Sequence, residues 1–269
     1  MTPIQALILG LIQGLTEFLP VSSSGHLEIG KALFGLEMTG AQSLTFDVVV
    51  HAGTALSTIV VFRKDIAELI SGVLKFKWNA ETKFVSFVLI SMLPAAFIGL
   101  IFEEQIGTLF EGQLLLIGAM LALTGILLFL ADRAKETHKS VQGIDAFVIG
   151  LAQAVAILPG ISRSGATIST SVLLGIDRAK AARFSFLMVL PIILGKAFLD
   201  AKDIVAGETM GEEVSGSVLI IGLLAAFLSG IVACNWMVAL VKRSQLKYFS
   251  YYCFAVAAIV FQSTRLSFD

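Results

Sequence analysis

The sequence predicts an all-α polytopic membrane protein with about six transmembrane helices and two re-entrant helix-turn-helix segments. Of its 269 residues, 57% are hydrophobic and only 14% are charged, and the mean hydropathy is +0.90. Apolar runs recur along the whole chain, and two of them are broken near the middle by proline, serine and glycine. This composition excludes a soluble domain, and the net charge of −1 indicates no nucleic-acid partner.

Six apolar segments are long enough to span a bilayer core of about 30 Å as helices that rise about 1.5 Å per residue. They are roughly 44–63, 83–101, 112–131, 182–200, 216–241 and 248–265. Segments 4–34 and 144–174 are instead broken at "LPVSSSG" and "LPGISRSG". Each arm of about 12 to 16 residues would reach only about 18 to 24 Å, which predicts re-entrant hairpins. The alternative is one proline-kinked spanning helix in each place.

The distribution of Lys and Arg supports the re-entrant interpretation. If both broken segments return to the side they entered from, the most basic loops all fall on one side. These loops are 63–83, 132–143, 175–183 and 242–247. The opposite side carries acidic loops around Glu103 and Glu212. By the positive-inside rule, the basic side is cytoplasmic and both termini lie outside.

The two broken segments are related in sequence. Six residues of the first recur 140 positions later: Gly10, Leu11, Gln13, Ser22, Ser24 and Gly25. Three predicted spans separate the copies, and an odd number of spans turns the second copy upside down. We therefore expect a single membrane domain, residues 1–269, built as an inverted repeat with halves of about 1–131 and 141–269.

The broken ends predict an anion site near the bilayer midplane. A helix that begins inside the membrane exposes unpaired N–H groups, which serine hydroxyls cap. The residues at the two ends are Ser22, Ser23 and Ser24, and Ser162, Arg163 and Ser164. An unpaired guanidinium there costs about 2.5 to 3.5 kcal/mol, so Arg163 should have an anionic partner, for which phosphate is well suited.

Groups capable of acid-base chemistry lie beside this site. Gln13 and Glu17 are four residues apart, hence on one helix face, and His26 follows one turn into the second half-helix. A carboxylate can hold a divalent cation or move a proton, an imidazole can attack phosphorus or shuttle protons, and Ser23 is a competing nucleophile. Asp47 and His51 could support the site, but we favour a pair satisfied within their own helix.

These motifs resemble one family. "QGLTEFLPVSSSGHL" resembles the (E/Q)xxxE signature and serine/histidine turn of the undecaprenyl-diphosphate phosphatase family, also called the bacitracin-resistance protein family, and "PGISRSGAT" matches its PGxSRSxxT motif. The resemblance implies a bacterial cell (inner) membrane enzyme that hydrolyses undecaprenyl diphosphate to recycle the carrier lipid of cell-wall synthesis. It also implies dependence on a divalent cation, Mg²⁺ or Ca²⁺, and a site that opens to the outer face.

The resemblance and the residues together predict the site. We expect Glu17, Ser23, His26 and Arg163 to be catalytic, and Glu17 to hold the cation. The expected substrate-binding residues are Gln13, Ser22, Ser24, Ser162, Ser164 and Thr167. The polyprenyl diphosphate and membrane lipids are the expected partners, with no oligomeric state predicted. Either Ser23 or His26 attacks phosphorus, or His26 activates a water. The alternative function is a secondary transporter or lipid flippase for an anionic or phosphorylated substrate.

Overall fold

The chain folds into a bundle of α-helices. The computed structural model describes residues 1–36, 38, 40–102, 109, 113–206, 214–242 and 245–266. Across those residues it contains eleven helices and no β-strand, only an isolated bridge between Lys139 and Ile176. The helices are α1 Pro3–Phe18, α2 Ser23–Leu33, α3 Gly40–Val61, α4 Arg63–Val73, α5 Ala80–Ile101, α6 Leu114–Asp132, α7 Gly143–Val155, α8 Arg163–Leu173, α9 Arg178–Ala206, α10 Gly216–Lys242 and α11 Leu246–Leu266.

Four stretches of the described helices are long and apolar enough to cross a membrane. They are Gln42–Val61, Ala80–Ile101, Leu114–Asp132 and Gly216–Val241, and they fall in α3, α5, α6 and α10. The other two predicted spans, 182–200 and 248–265, lie in α9 and α11, which have 29 and 21 residues. Neither is among the four stretches found over the residues that the structure describes, so both spans stay predictions. The multi-pass character is confirmed for the four apolar stretches.

Helix α4 was not predicted from the sequence. Residues 63–83 were expected to form a loop, but the structure has a helix of 11 residues at Arg63–Val73. Ile66 and Leu69 pack against the hydrophobic core, while Asp65 pairs with Arg183 of α9 at 2.6 Å. Its apolar residues recur at helical spacing, but the segment is short and four of its 11 residues are charged.

The first broken segment is a helical hairpin. Helix α1 ends at Phe18 and α2 begins at Ser23. A Cβ added at Gly30 would lie 2.8 Å from the side chain of Leu9, so α2 runs back along α1. One continuous kinked helix could not bring these two residues together. The second segment is interrupted in the same way between α7 and α8, at residues 156–162, and α8 packs on α7.

Small residues allow the hairpins to pack closely on the long helices. Helix α1 lies against α10, and a Cβ at Gly10 would be 2.5 Å from the carbonyl oxygen of Gly222. Helix α7 lies against α5, and a Cβ at Gly150 would collide with the backbone of Ser91. Gly10 and Gly150 are also the first residues of the sequence repeat. Glycines of this kind let helix backbones approach where lipid supplies no hydrophobic driving force.

The segments predicted to form the basic side meet at one end of the bundle. The Arg178 guanidinium donates to the carbonyl oxygens of Ala131, Asp132 and Ala134 at 3.1 to 3.2 Å. The backbone N–H of Lys247 donates to Asp132 Oδ1 at 3.0 Å. With the Asp65–Arg183 pair, these contacts join all four predicted basic loops. The acidic loops around Glu103 and Glu212 lie outside the described residues.

Replacing Gly150 by valine should destabilise the protein. The added side chain must push α7 away from the Ser91 backbone, and overpacking of this kind costs about 1 to 3 kcal/mol. The thermal unfolding midpoint in detergent measures the loss. Gly99→Val in α5 is the control, because no atom lies within 4 Å of a Cβ there. Equal unfolding midpoints for the two variants would contradict the close α5–α7 approach.

Candidate active site

The two helix breaks meet at one charged contact. Arg163, the first residue of α8, forms an ion pair with Glu17 in the last turn of α1, although the two residues are 146 positions apart. Ser164 Oγ also donates to the carbonyl oxygen of Leu19 in the first break, at 3.4 Å. The predicted anionic partner of Arg163 is therefore a carboxylate of the protein itself.

Glu17 is the centre of the hydrogen-bond network. Its side chain is only 8% exposed, and Oε1 faces Arg163. Oε2 accepts from Ser23 Oγ at 2.6 Å and from Gln13 Nε2 at 3.0 Å. Gln13 reaches Glu17 because residues four apart share a helix face, and Ser23 reaches it because α2 begins beside the end of α1. A serine hydroxyl held on a carboxylate is the arrangement of a nucleophile and its base.

Serine caps hold both helix N-termini at the site. Ser22 Oγ accepts from the N–H of Gly25 at 3.2 Å, and Ser162 Oγ accepts from the N–H of Gly165 at 3.0 Å. Ser22 has φ +70°, a left-handed conformation that costs free energy for a residue with a side chain. A Cβ at Gly25 would lie 3.3 Å from Gly160 Cα, so the two turns touch. The partial positive charges of the two helix N-termini converge on one place, which favours the binding of an anion.

His26 makes contacts that differ from those of Ser23. Its Nδ1 lies 2.7 Å from the carbonyl oxygen of Ser22, and its Nε2 lies 2.9 Å from the hydroxyl of Tyr252. The imidazole is stacked on the Tyr252 ring, with centroids 5.6 Å apart. Both ring nitrogens are thus occupied. Sequence reasoning missed Tyr252 because tyrosines at a helix end are typical interface anchors.

The Asp47 and His51 side chains do not form the self-contained pair that we favoured. His51 Nδ1 donates to the backbone carbonyl of Asp47 at 2.7 Å, and its Nε2 lies 3.7 Å from Glu17 Oε2. The Asp47 carboxylate instead pairs with Lys31 of α2 at 2.8 Å. Lys31 also pairs with Glu28 at 2.8 Å. His51 therefore lies beside the site, and the charged cluster ties α2 to α3.

The remaining predicted residues lie around the turns. Thr167 Oγ1 is buried and donates to the carbonyl oxygen of Arg163 at 2.8 Å, with Ser185 Oγ at 2.5 Å. Ser24 Oγ lies 3.4 Å from Ser22 Oγ. Thr124, which the sequence did not single out, accepts from the N–H of Ser162 at 3.1 Å. The substrate-binding roles of Ser24 and Thr167 stay predictions.

A small cavity lies beside Glu17 and Arg163. Its volume is ≈ 20 Å³, enough for about one water molecule. The hydroxyl-bearing residues of its wall are Thr54, Thr58, Ser164 and Ser185. Thr54 and Thr58 were missed because threonines in an apolar helix carry no motif.

The oxygen atoms around Glu17 suit a hard divalent cation. Gln13 Oε1 is buried and has no hydrogen-bond partner among the described residues, so it is a spare oxygen donor beside the carboxylate. Mg²⁺ and Ca²⁺ prefer such oxygen ligands. The described part of the chain contains no group of three His, Cys, Asp or Glu side chains placed to hold a metal ion. A cation here would rest on Glu17, neutral protein oxygens and oxygens of the substrate.

Comparison with known proteins identifies the family. The family model described as "Bacitracin resistance protein BacA" matches residues 6–259. A protein of Christiangramia forsetii named undecaprenyl-diphosphatase is 60% identical over 258 residues, covering 95% of this chain and 97% of that protein. Proteins of the same name from Bacteroides fragilis and Methanobrevibacter smithii are 49% and 37% identical, with at least 97% of each chain covered. The chain, with its Glu17–Ser23–Arg163 site, belongs to the bacitracin resistance protein family.

Proposed function

We propose that this chain is a membrane phosphatase that hydrolyses undecaprenyl diphosphate to undecaprenyl phosphate and inorganic phosphate. This activity recycles the carrier lipid for cell-wall synthesis and confers resistance to bacitracin. The observation that carries the proposal is the Ser23–Glu17 contact, 2.6 Å long, beside Arg163 and two helix N-termini. The names of the relatives point to the same reaction.

Arg163 and the helix N-termini bind the diphosphate. One guanidinium nitrogen holds Glu17, and an arginine has further N–H groups that can donate to phosphate oxygens. The capped ends of α2 and α8 add backbone donors and a positive partial charge. Ser24 and Ser164, one residue beyond each helix start, can turn their hydroxyls toward the same oxygens.

Ser23 is the nucleophile that the geometry supports best. Its Oγ bonds to the terminal phosphorus while its proton passes to Glu17 Oε2. The bond between that phosphorus and the bridging oxygen breaks, and undecaprenyl phosphate leaves with the electron pair and the proton. Glu17 then takes a proton from a water that attacks the phosphoserine, and returns it to Ser23 Oγ as inorganic phosphate leaves. Most of the rate gain comes from positioning and charge stabilisation.

His26 supports this arrangement rather than attacking phosphorus. Its ring is held between the Ser22 carbonyl and the Tyr252 hydroxyl, so it fixes the turn that carries Ser23. His51 Nε2 lies 3.7 Å from Glu17 Oε2, the oxygen to which Ser23 donates, and helps to orient the carboxylate.

A divalent cation, Mg²⁺ or Ca²⁺, completes the site. When bound, it neutralises charge on the diphosphate oxygens. Glu17 would hold it, with Gln13 Oε1 as a second oxygen.

The reactive pair favours a phosphatase over a transporter. A carrier of a phosphorylated substrate needs Arg163 and the helix N-termini, but it gains nothing from a serine hydroxyl held on a carboxylate. The Ser23–Glu17 contact is therefore the feature that separates the two functions.

The membrane topology of the proposal has six spans, two re-entrant hairpins and an inverted repeat. Helix α1 on α10 and α7 on α5 are equivalent pairs in such a repeat, and Gly10 and Gly150 are equivalent positions within them. The four basic loops joined at one end of the bundle support one cytoplasmic side. In this arrangement the site opens to the outer face of the bacterial inner membrane.

Cysteine labelling tests this topology. Lys77→Cys should react with a membrane-impermeant thiol reagent only from the cytoplasmic side, and Phe102→Cys only from the outside, because α5 separates the two positions. The native protein is the control, since Cys234 and Cys253 are buried. Labelling of both introduced cysteines from the same side would show that α5 does not span the membrane as proposed.

The activity itself is tested by phosphate release. The purified protein in detergent should release inorganic phosphate from undecaprenyl diphosphate, lose this activity in EDTA and regain it with Mg²⁺ or Ca²⁺. A folded sample that releases no phosphate, but exchanges an anion or a lipid phosphate in liposomes, would support the transporter instead. Activity that is unchanged by EDTA would contradict the proposed requirement for a divalent cation.

Substitution of the two candidate nucleophiles separates their roles. Ser23→Ala should lower kcat by at least about a hundredfold and abolish a phosphoenzyme, because among the described residues Ser23 carries the hydroxyl that is held on Glu17 Oε2. His26→Ala should lower kcat less and still form phosphoserine, which is detected by mass spectrometry after acid quenching. An acid-labile phosphohistidine that persists in the Ser23→Ala protein would instead assign the attack to His26.

A further inference from the structure

The chain between α3 and α5 forms a short helix at the cytoplasmic end of the bundle in the proposed topology. Helix α4 has 11 residues, so it is about 16 Å long and too short to span a bilayer core of about 30 Å. Asp65 pairs with Arg183, and a Cβ at Gly72 would collide with the side chain of Glu81. Arg183 and Glu81 both lie within the first six residues of their helices, α9 and α5. Helix α4 therefore lies across the ends of two long helices.

Helix α4 has three faces. Ile66 and Leu69 pack on the hydrophobic core. A second face is apolar but exposed, and it is formed at helical spacing by Ala67, Ile70 and Leu74. The third face is polar and exposed, and it carries Lys64, Glu68 and Ser71. A helix with one face on the protein, one apolar face uncovered and one polar face is suited to the interface between a membrane and water.

The turn after α4 holds large apolar side chains outside the protein. Phe76 is 90% exposed and Trp78 is 68% exposed. The turn is nevertheless fixed, because Asn79 Nδ2 donates to the carbonyl oxygen of Gly72 at 2.9 Å. Phe76 has φ +51°, a left-handed conformation that is costly for an aromatic residue. The backbone thus holds the aromatic ring outward instead of folding it onto the core.

The same turn carries unpaired positive charge. Lys75 and Lys77 alternate in sequence with the apolar residues at 74, 76 and 78. Both lysines are exposed, and neither has an ion-pair or hydrogen-bond partner for its side chain among the described residues. Residues 63–83 contain five Lys or Arg and three Asp or Glu, and one of the three carboxylates, Asp65, is already paired with Arg183. Lysines beside aromatic residues suit an anionic lipid surface, because the ammonium groups reach phosphates while the rings enter the apolar region.

We propose that α4 and the turn at residues 74–78 form a binding surface for anionic phospholipids of the cytoplasmic leaflet. The apolar stretch Ala80–Ile101 begins two residues after Trp78, so the turn lies where headgroups meet acyl chains. The apolar side chains of the turn enter the acyl region, and Lys75 and Lys77 bind headgroup phosphates. This surface lies outside the proposed active site, and the inference does not depend on the phosphatase function.

Fluorescence quenching by brominated lipids tests this surface. Trp236→Phe leaves Trp78 as the single tryptophan, since the chain has two. In vesicles of phosphatidylcholine and phosphatidylglycerol, binding at Trp78 should favour brominated phosphatidylglycerol over brominated phosphatidylcholine at least about fivefold, because each lysine near an anionic surface contributes about that factor. Equal quenching by the two lipids would overturn the proposal. A Trp78 shielded from both lipids would also overturn it, and would show that a protein surface covers the segment instead.

Lysine substitutions in the Trp236→Phe protein test the source of this preference. Lys75→Gln/Lys77→Gln should lower the preference for phosphatidylglycerol to near one. The matched control is Lys135→Gln/Lys247→Gln, which changes two exposed lysines of other basic loops and should leave the preference unchanged. The thermal unfolding midpoint in detergent verifies that each variant is folded. A preference that survives the loss of Lys75 and Lys77, or that falls equally in the control, would overturn the proposal.

Discussion

The contact between Glu17 and Arg163 is the constraint on which the site depends. A carboxylate and a guanidinium are each expensive in a lipid-exposed helix, and each becomes tolerable when it has a partner of opposite charge. Because the two lie 146 positions apart, their pairing draws the ends of α1 and α8 together. Loss of Arg163 would leave the buried Glu17 carboxylate without its cationic partner, and breaking a buried ion pair in this way typically costs about 3 to 5 kcal/mol. The same contact keeps a carboxylate beside the proposed diphosphate site.

The two helix breaks make this contact possible. Helix ends expose backbone N–H groups that lipid cannot satisfy, so they occur only where capping side chains or a cavity satisfy them. Here Ser22 and Ser162 supply the caps, and Gly10 and Gly150 let the hairpins lie close to α10 and α5. The positive ends of two half-helices then face one place. The arrangement that caps the backbone N–H groups is thus also the arrangement that favours an anion.

The two copies of the sequence repeat carry different chemical groups. At the spacing of 140 residues, Ser23 corresponds to Arg163, Glu17 to Ile157 and His26 to Ala166. In the proposed mechanism, the first copy carries the nucleophile and its base, and the second carries the arginine that binds phosphate.

Local sequence properties predicted the helical membrane class, the approximate bounds of the long helices, both breaks and the residues at the turns. Hydropathy, proline and serine act on neighbouring residues, so their effects can be identified along the chain. The partner of Arg163, the choice between Ser23 and His26, and the contacts of Tyr252, Thr124 and Lys31 depended on the tertiary structure. Most of these contacts join residues far apart in sequence, and helical periodicity indicates which face a side chain occupies, but not which helix packs against that face.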